Sequence, residues 1–196
     1  MPVPLAETLI AGTLLAGTDC ERLPDGPMTV AVAAPGDELN WTPEGRIRGR
    51  IARVPFAPVA KTVVLVVPAA QGSMLVLLDP EAVESTPGSS LAGEPTAALR
   101  LDLQGDALAR FDSPLSAETV LARMALTRAL MISGAMQSIL DLGCTHATDR
   151  VQFGRPIAKV PGPIQQPRLR RWPGKRPRRS RAADRALEAL GGPGRD

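Results

Sequence analysis

The residues of this chain whose types and spacing suggest chemistry lie between positions 146 and 181. HATDRVQFGRPIAK, residues 146–159, reads as the end of an amphipathic helix running into a specific recognition turn. It is followed at once by VPGPIQQPRLRRWPGKRPRRSR, which cannot continue that helix, because proline removes a backbone donor and clashes with the preceding turn. Residues 168–181 carry seven Arg and Lys175 without an acid. Such a run would neutralise several phosphates and bind nucleic acid or another acidic surface in a strongly salt-dependent way. Against that reading, only Trp172 offers a ring to stack on a base, and no recognised nucleic-acid fold precedes the run. His146 is the only histidine and has no neighbouring cysteine or second histidine, so the sequence holds no zinc motif. Cys20 and Cys144 are far apart and in no CxxC spacing, as expected of reduced thiols in a cytoplasmic protein.

The elements that must position these residues change character along the chain. Of the 196 residues, 44% are hydrophobic but only 3% aromatic, with no tyrosine, so the core must be built from Ala, Val and Leu. The net charge of +3 is confined to one segment: outside 168–181 the chain is net acidic. No apolar run reaches the roughly 18–20 residues of a membrane span. Residues 4–17 carry a helical apolar pattern through Leu5, Leu9 and Leu15, ended by Gly17, and a turn-rich linker follows. From residue 27 the period becomes that of strands. Segments 28–34, 46–56, 61–69, 73–80 and 96–108 are short and bounded by Pro, Gly and Asp. The alternation in RIRGRIARV predicts a half-exposed strand, and TVVLVV, apolar on both faces, predicts a central one. At 116 the helical period returns. Ser116 is placed to cap, Glu118 to complement the positive helix end, and Leu121, Met124, Ala125, Arg128, Met131, Ile132, Ala135, Ile139 and Leu142 fall on one largely apolar face. Gly134 and Gly143 inside this helix cost about 1 kcal/mol each relative to alanine, and small residues there suit the close approach of another helix. The expected fold class is α+β: a small antiparallel β-barrel or sandwich, a long helix, and a basic disordered tail.

Helix, linker, small β unit, long helix and then DRVQFGRPI is an order that resembles the acyl-CoA dehydrogenase family. The motif Arg-x-x-Phe-Gly-x-x-Ile is matched by Arg150, Phe153, Gly154 and Ile157. The resemblance implies a remnant of an N-terminal helical domain and linker over 1–26, a middle β-domain over 27–112, and the first helix of a C-terminal helical domain over 113–159. Residues 160–196 are a divergent Pro/Arg-rich tail with a possible short helix. It implies FAD as cofactor, with Arg150 reaching the pyrophosphate of a flavin held mainly by a neighbouring subunit. A guanidinium suits that task because it grips phosphate oxygens bidentately and never loses its charge. Gln152 and Phe153 become adjacent cofactor contacts, and Phe56 the aromatic remaining from a flavin-facing segment of the middle domain. An acyl-CoA thioester would be the substrate, electron-transfer flavoprotein a partner, and a homo- or hetero-oligomer the assembly.

The sequence also departs from the family pattern. The Thr-Glu-Pro stretch with its following Gly and Ser is here VAVAAPGDEL, keeping Pro35 and Gly36, and the Asp-x-x-Arg that many members use for CoA falls at Ala122 and Ala125. Family members are roughly twice this length, and the helices that carry the catalytic carboxylate have no counterpart. No catalytic residue is assigned, and the expectation is a truncated, inactive copy or a non-catalytic subunit that binds FAD weakly or not at all alone. After Lys159 the chain keeps only Ile164, Gln165 and Gln166 of the family's second helix. GC-rich codons around Trp172 and Lys175, read in another frame, give Val-Ala-Gly-Glu-Ala-Ala, so residues 160–181 are expected to be a frame-shifted stretch. The helical look of AADRALEAL, residues 182–190, agrees.

Overall fold

In the computed structural model, residues 3–42, 45–104 and 108–159 are described; the expected disordered tail, its frame shift and its short helix lie outside them. The chain divides into two compact units, residues 1–125 and 126–196.

The first unit holds helix α1 (Leu5–Ala16) and eight strands: β1 (Met28–Val32), β2 (Glu38–Trp41), β3 (Arg46–Pro55), β4 (Thr62–Pro68), β5 (Ser73–Leu78), β6 (Glu84–Ser89), β7 (Pro95–Gln104) and β8 (Arg110–Ser113). They form two four-stranded sheets, ordered β1-β4-β5-β8 and β2-β3-β7-β6. The expected barrel is therefore open, a sandwich of two sheets. One pair also departs from the antiparallel expectation: β1 runs parallel to β4, Met28 opposite Thr62 through Val32 opposite Val66. A parallel partner needs a long crossover, and the connection from 33 to 61 supplies it by spending β2 and β3 in the other sheet.

Side-chain alternation explains the layering. Val63, Leu65 and Val67 of β4 join Ile47, Ile51 and Val54 of β3 and Ala97, Leu99 and Leu101 of β7 in one apolar cluster. Val64 and Val66 point the other way, into a second cluster with Ala11, Leu14 and Leu15 of α1 and Val120. Val63 to Val67 are thus buried on both faces, each side chain contributing about 1.5–3 kcal/mol by leaving water. Helix α1 turns a different face to the sheet than its leucine spacing suggested: Ala11, Leu14 and Leu15 are buried, whereas Leu5 and Leu9 are exposed. Its partner is β1, to which Thr8 is pinned by reciprocal hydrogen bonds with the Met28 backbone, 3.0 Å each way.

Helix α2 (Ala117–Asp149) runs 33 residues without interruption at Gly134. Ser116 caps it, its Oγ accepting from the Thr119 amide at 3.2 Å. In the second unit α2 leads into β9 (Val151–Gln152), β10 (Arg155–Pro156) and a 3-10 turn, Ile157–Lys159. Met131, Ile132, Ile139 and Leu142 are exposed, and a Cβ added at Gly134 or Gly143 would meet nothing within 4 Å.

Candidate functional site

The segment that follows α2 is built as a small hairpin. The Arg150 amide donates to the His146 carbonyl at 3.0 Å and completes the last helical turn, while the Arg150 carbonyl accepts from the Ile157 amide at 2.9 Å. Between those two bonds, Gln152 pairs with Arg155 and Val151 with Pro156, antiparallel. The two loop residues, Phe153 and Gly154, have φ of 52° and 78°. Positive φ at both central positions belongs to the primed hairpin turn, which favours Asn or Asp followed by Gly.

Phe153 is the wrong residue for that turn and in the wrong place for a hydrophobe. A left-handed backbone at a bulky residue costs about 1–2 kcal/mol, and Phe153 regains nothing by burial, since it is 90% exposed. Strain of this kind persists where the side chain has work outside the turn. Arg150 and Gln152 are exposed beside it, and among the described residues the Arg150 side chain has no ion pair or hydrogen bond. The hairpin thus displays a cation that cannot deprotonate, an amide and an aromatic face on six consecutive residues, 149–154. The competing role for Arg150 is purely structural: a cation near the C-terminus of α2 complements its dipole by about 0.3–1 kcal/mol.

Phe56 lies in the other unit and does not fit its expected role. It precedes the 3-10 turn Ala57–Val59 with φ 55°, its amide donates to the Pro95 carbonyl at 2.7 Å, and its carbonyl receives the Val59 and Ala60 amides, each at 3.0 Å. These bonds fix the backbone so that the ring points inward, only 2% exposed. A buried ring has no free face to offer a flavin, so Phe56 is a packing residue.

The first unit does expose a turn at Pro35 and Gly36, held from below by a residue that motif reasoning passed over. Asp37 accepts from the Ala34 amide at 3.0 Å through Oδ2 and from the Ala52 amide at 2.9 Å through Oδ1. It ties the β1–β2 turn to the point where the β3–β7 register shifts between Ile51 and Val54. That bulge leaves Arg53 exposed next to the tethered turn, as bulges beside sites often re-aim a side chain. The signal in sequence was the APGD string, since a carboxylate just after a Pro-Gly turn is positioned to bond backbone amides.

No described helix is long and apolar enough to cross a membrane, and no group of His, Cys, Asp and Glu among the described residues is placed to hold a metal ion. The fold is that of the flavin-dependent acyl-CoA dehydrogenases over the part of the chain they cover. The ChsE4-ChsE5 complex from Mycobacterium tuberculosis superposes with a TM-score of 0.63 at 21% identity, over 81% of this chain and 49% of that one. A variant of the Tcur3481-Tcur3483 steroid ACAD gives 0.51 at 25% identity, over 82% and 49%. A glutaryl-CoA dehydrogenase from Mycobacterium smegmatis in complex with FADH2 gives 0.50 at 15% identity, over 69% and 40%. The chain therefore spans about half the length, or less, of these structures. No protein-family model and no curated protein matches the sequence.

Proposed function

We propose that this chain is an acyl-CoA dehydrogenase-like flavoprotein component whose hairpin 149–157 contacts an FAD held mainly by a neighbouring subunit. The observation that carries the reading is Phe153: a displayed aromatic on a left-handed turn residue, flanked by an Arg150 side chain without a partner among the described residues. In this reading 27–112 is the middle β-domain and 113–159 opens the helical domain. The residues fit the cofactor in kind. Arg150 would fork onto pyrophosphate oxygens, Gln152 offers both a donor and acceptors, and Phe153 supplies an edge or face for a ring.

Bound FAD would supply the hydride acceptor for oxidation of an acyl-CoA thioester at Cα–Cβ. The chain's own residues bind and orient. Arg150 holds negative charge at a fixed distance from the hairpin, and Asp37 keeps the Pro35–Gly36 turn rigid. With Phe56 buried and Ala122 and Ala125 where the family's CoA-contacting pair would fall, the chain acts as a non-catalytic contributor. Its partner carries the chemistry, and electron-transfer flavoprotein receives the electrons from that partner.

A flavin titration distinguishes this reading from a structural helix end. The chain, reconstituted as an oligomer with a flavin-bearing subunit, should retain FAD but release riboflavin, which lacks the pyrophosphate. Phe153→Asn, which suits the turn better, should weaken FAD retention while leaving the chain as stable as before or more so. Equal retention of FAD and riboflavin, or FAD retention indifferent to Phe153→Asn, would contradict it.

A further inference from the structure

The outer face of the sheet β2-β3-β7-β6 carries a charge arrangement that folding alone does not account for. Arg46, Arg48 and Arg50 alternate with buried Ile47 and Ile51 along β3, so all three guanidinium stems leave the same face. On β7, Arg100 and Asp102 alternate with buried Leu99 and Leu101 and leave that face too. The register then sets Arg48 opposite Asp102 but Arg50 directly opposite Arg100. Like charges facing one another across strands are destabilising, so this pair calls for a compensating anion.

The neighbouring carboxylates provide it only in part, through a long ion pair from Glu84 to Arg100. Asp102 is already engaged by both Arg46, at 2.6 Å, and Arg48, at 3.0 Å. Glu84, across from Arg100 on β6, approaches only to 3.9 Å. Glu38 stands opposite Arg50 on β2, yet among the described residues Arg50 makes no hydrogen bond or ion pair. Between these side chains lies a groove of about 530 Å³, lined also by Thr86 and Gly49. Gly49 lets β2 approach closely at this point: a Cβ there would stand 2.0 Å from the Glu38 carbonyl oxygen.

We propose that this groove binds a small soluble phosphate monoester, gripped by the Arg50 and Arg100 guanidinium groups. Two guanidiniums presented side by side match the oxygens of a phosphate bidentately, and a dianion relieves the repulsion between them. The Thr86 hydroxyl is a further donor at the rim, and the groove volume leaves room for the organic body of the ester. Glu38 and Glu84 at the two flanks disfavour a continuous polyanion and so favour a compact ligand carrying one phosphate. The proposal is independent of the hairpin and of any flavin.

Isothermal titration of the full chain with inorganic phosphate and with adenosine 5′-monophosphate tests it, at ionic strength held constant with chloride. Both should bind at one site per chain, the nucleotide more tightly. Arg50→Ala and Arg100→Ala should each weaken binding about tenfold, which is 1.4 kcal/mol, and the double variant should abolish it. Arg50→Lys keeps fold and charge, and should still lose severalfold affinity because a point charge lacks the fork. Arg22→Ala, which removes the partner of Asp25 in the linker, should change nothing. An equal loss from Arg22→Ala, full affinity in Arg50→Lys, or binding seen only with phosphatidic acid vesicles would each overturn the proposal.

Discussion

The two units of this chain use apolar residues in opposite ways. In the sandwich, Leu65 and its neighbours on β4 are buried on both faces, and each layer of the unit finds its cover within the unit. In the second unit, Leu130, Met131, Ile132, Met136, Ile139, Leu140 and Leu142 are 44–69% exposed on one helix, and the hairpin lifts Phe153 into solvent. The buried apolar residues of the sandwich are accounted for by folding; the exposed apolar residues on the helix of the second unit are not, and contacts with something else are to be sought there.

Paired substitutions break or sharpen this contrast. The largest difference should come from Leu65→Ala against Ile139→Ala. The first empties a fully buried position and should cost about 2–5 kcal/mol. The second touches an exposed one and should change the unfolding free energy of the chain by no more than about 0.5 kcal/mol. Denaturant unfolding measures both, and a comparable loss from Ile139→Ala would show that the helix face is covered.

Glycine substitutions give the next effect, with opposite signs. Gly72 has φ 72° and its Cβ would lie 2.1 Å from the Ser113 carbonyl oxygen, so alanine there should destabilise by more than about 1 kcal/mol. Gly134 sits in helix with nothing within 4 Å, so alanine should stabilise by about 1 kcal/mol in the lone chain. In an assembly that brings another helix close, the same Gly134→Ala change should turn unfavourable.

Smallest is a pH effect on the outer face of the sandwich. Hydrogen bonds from Arg46 and then Arg48 hold the Asp102 carboxyl below its ordinary value of 3.8. The folded state therefore gains stability from this group above the unfolded carboxylate range and loses it as pH falls through the lower folded value. Asp102→Asn should flatten the acid side of the stability profile slightly, and an unchanged slope would show that solvent screens the cluster completely.

What the sequence disclosed follows the strength of local pattern. β4 was legible because five consecutive apolar residues, Val63 to Val67, admit no exposed face, and α2 because its period and the Ser116 cap agree. β6, ESTPGS, was not: an edge strand exposed throughout, containing Pro87 and Gly88, has no period-two signal and reads as a turn. The parallel β1–β4 pair was hidden because strand direction depends on a crossover through another sheet. At the site, the DRVQFG string stood out as a motif after a helix, but the hairpin it forms and the tension at Phe153 are backbone properties that composition does not carry. Phe56 misled because an aromatic at a motif position can as well turn inward, and only the bonds to Pro95, Val59 and Ala60 decide it.

The claim that DRVQFG displays contacts, and is not merely where a helix ends, is tested most directly by FAD affinity in an assembled, flavin-loaded complex, comparing Arg150→Ala with Arg155→Ala. Loss of a charge-assisted contact of about 1.5–3 kcal/mol predicts an affinity ten- to a hundredfold weaker for Arg150→Ala, partly restored by Arg150→Lys. Arg155→Ala, beyond the turn, should stay within about twofold of the unaltered chain. If both alanine variants bound FAD as the unaltered chain does, Arg150 would be a helix-end cation and nothing more.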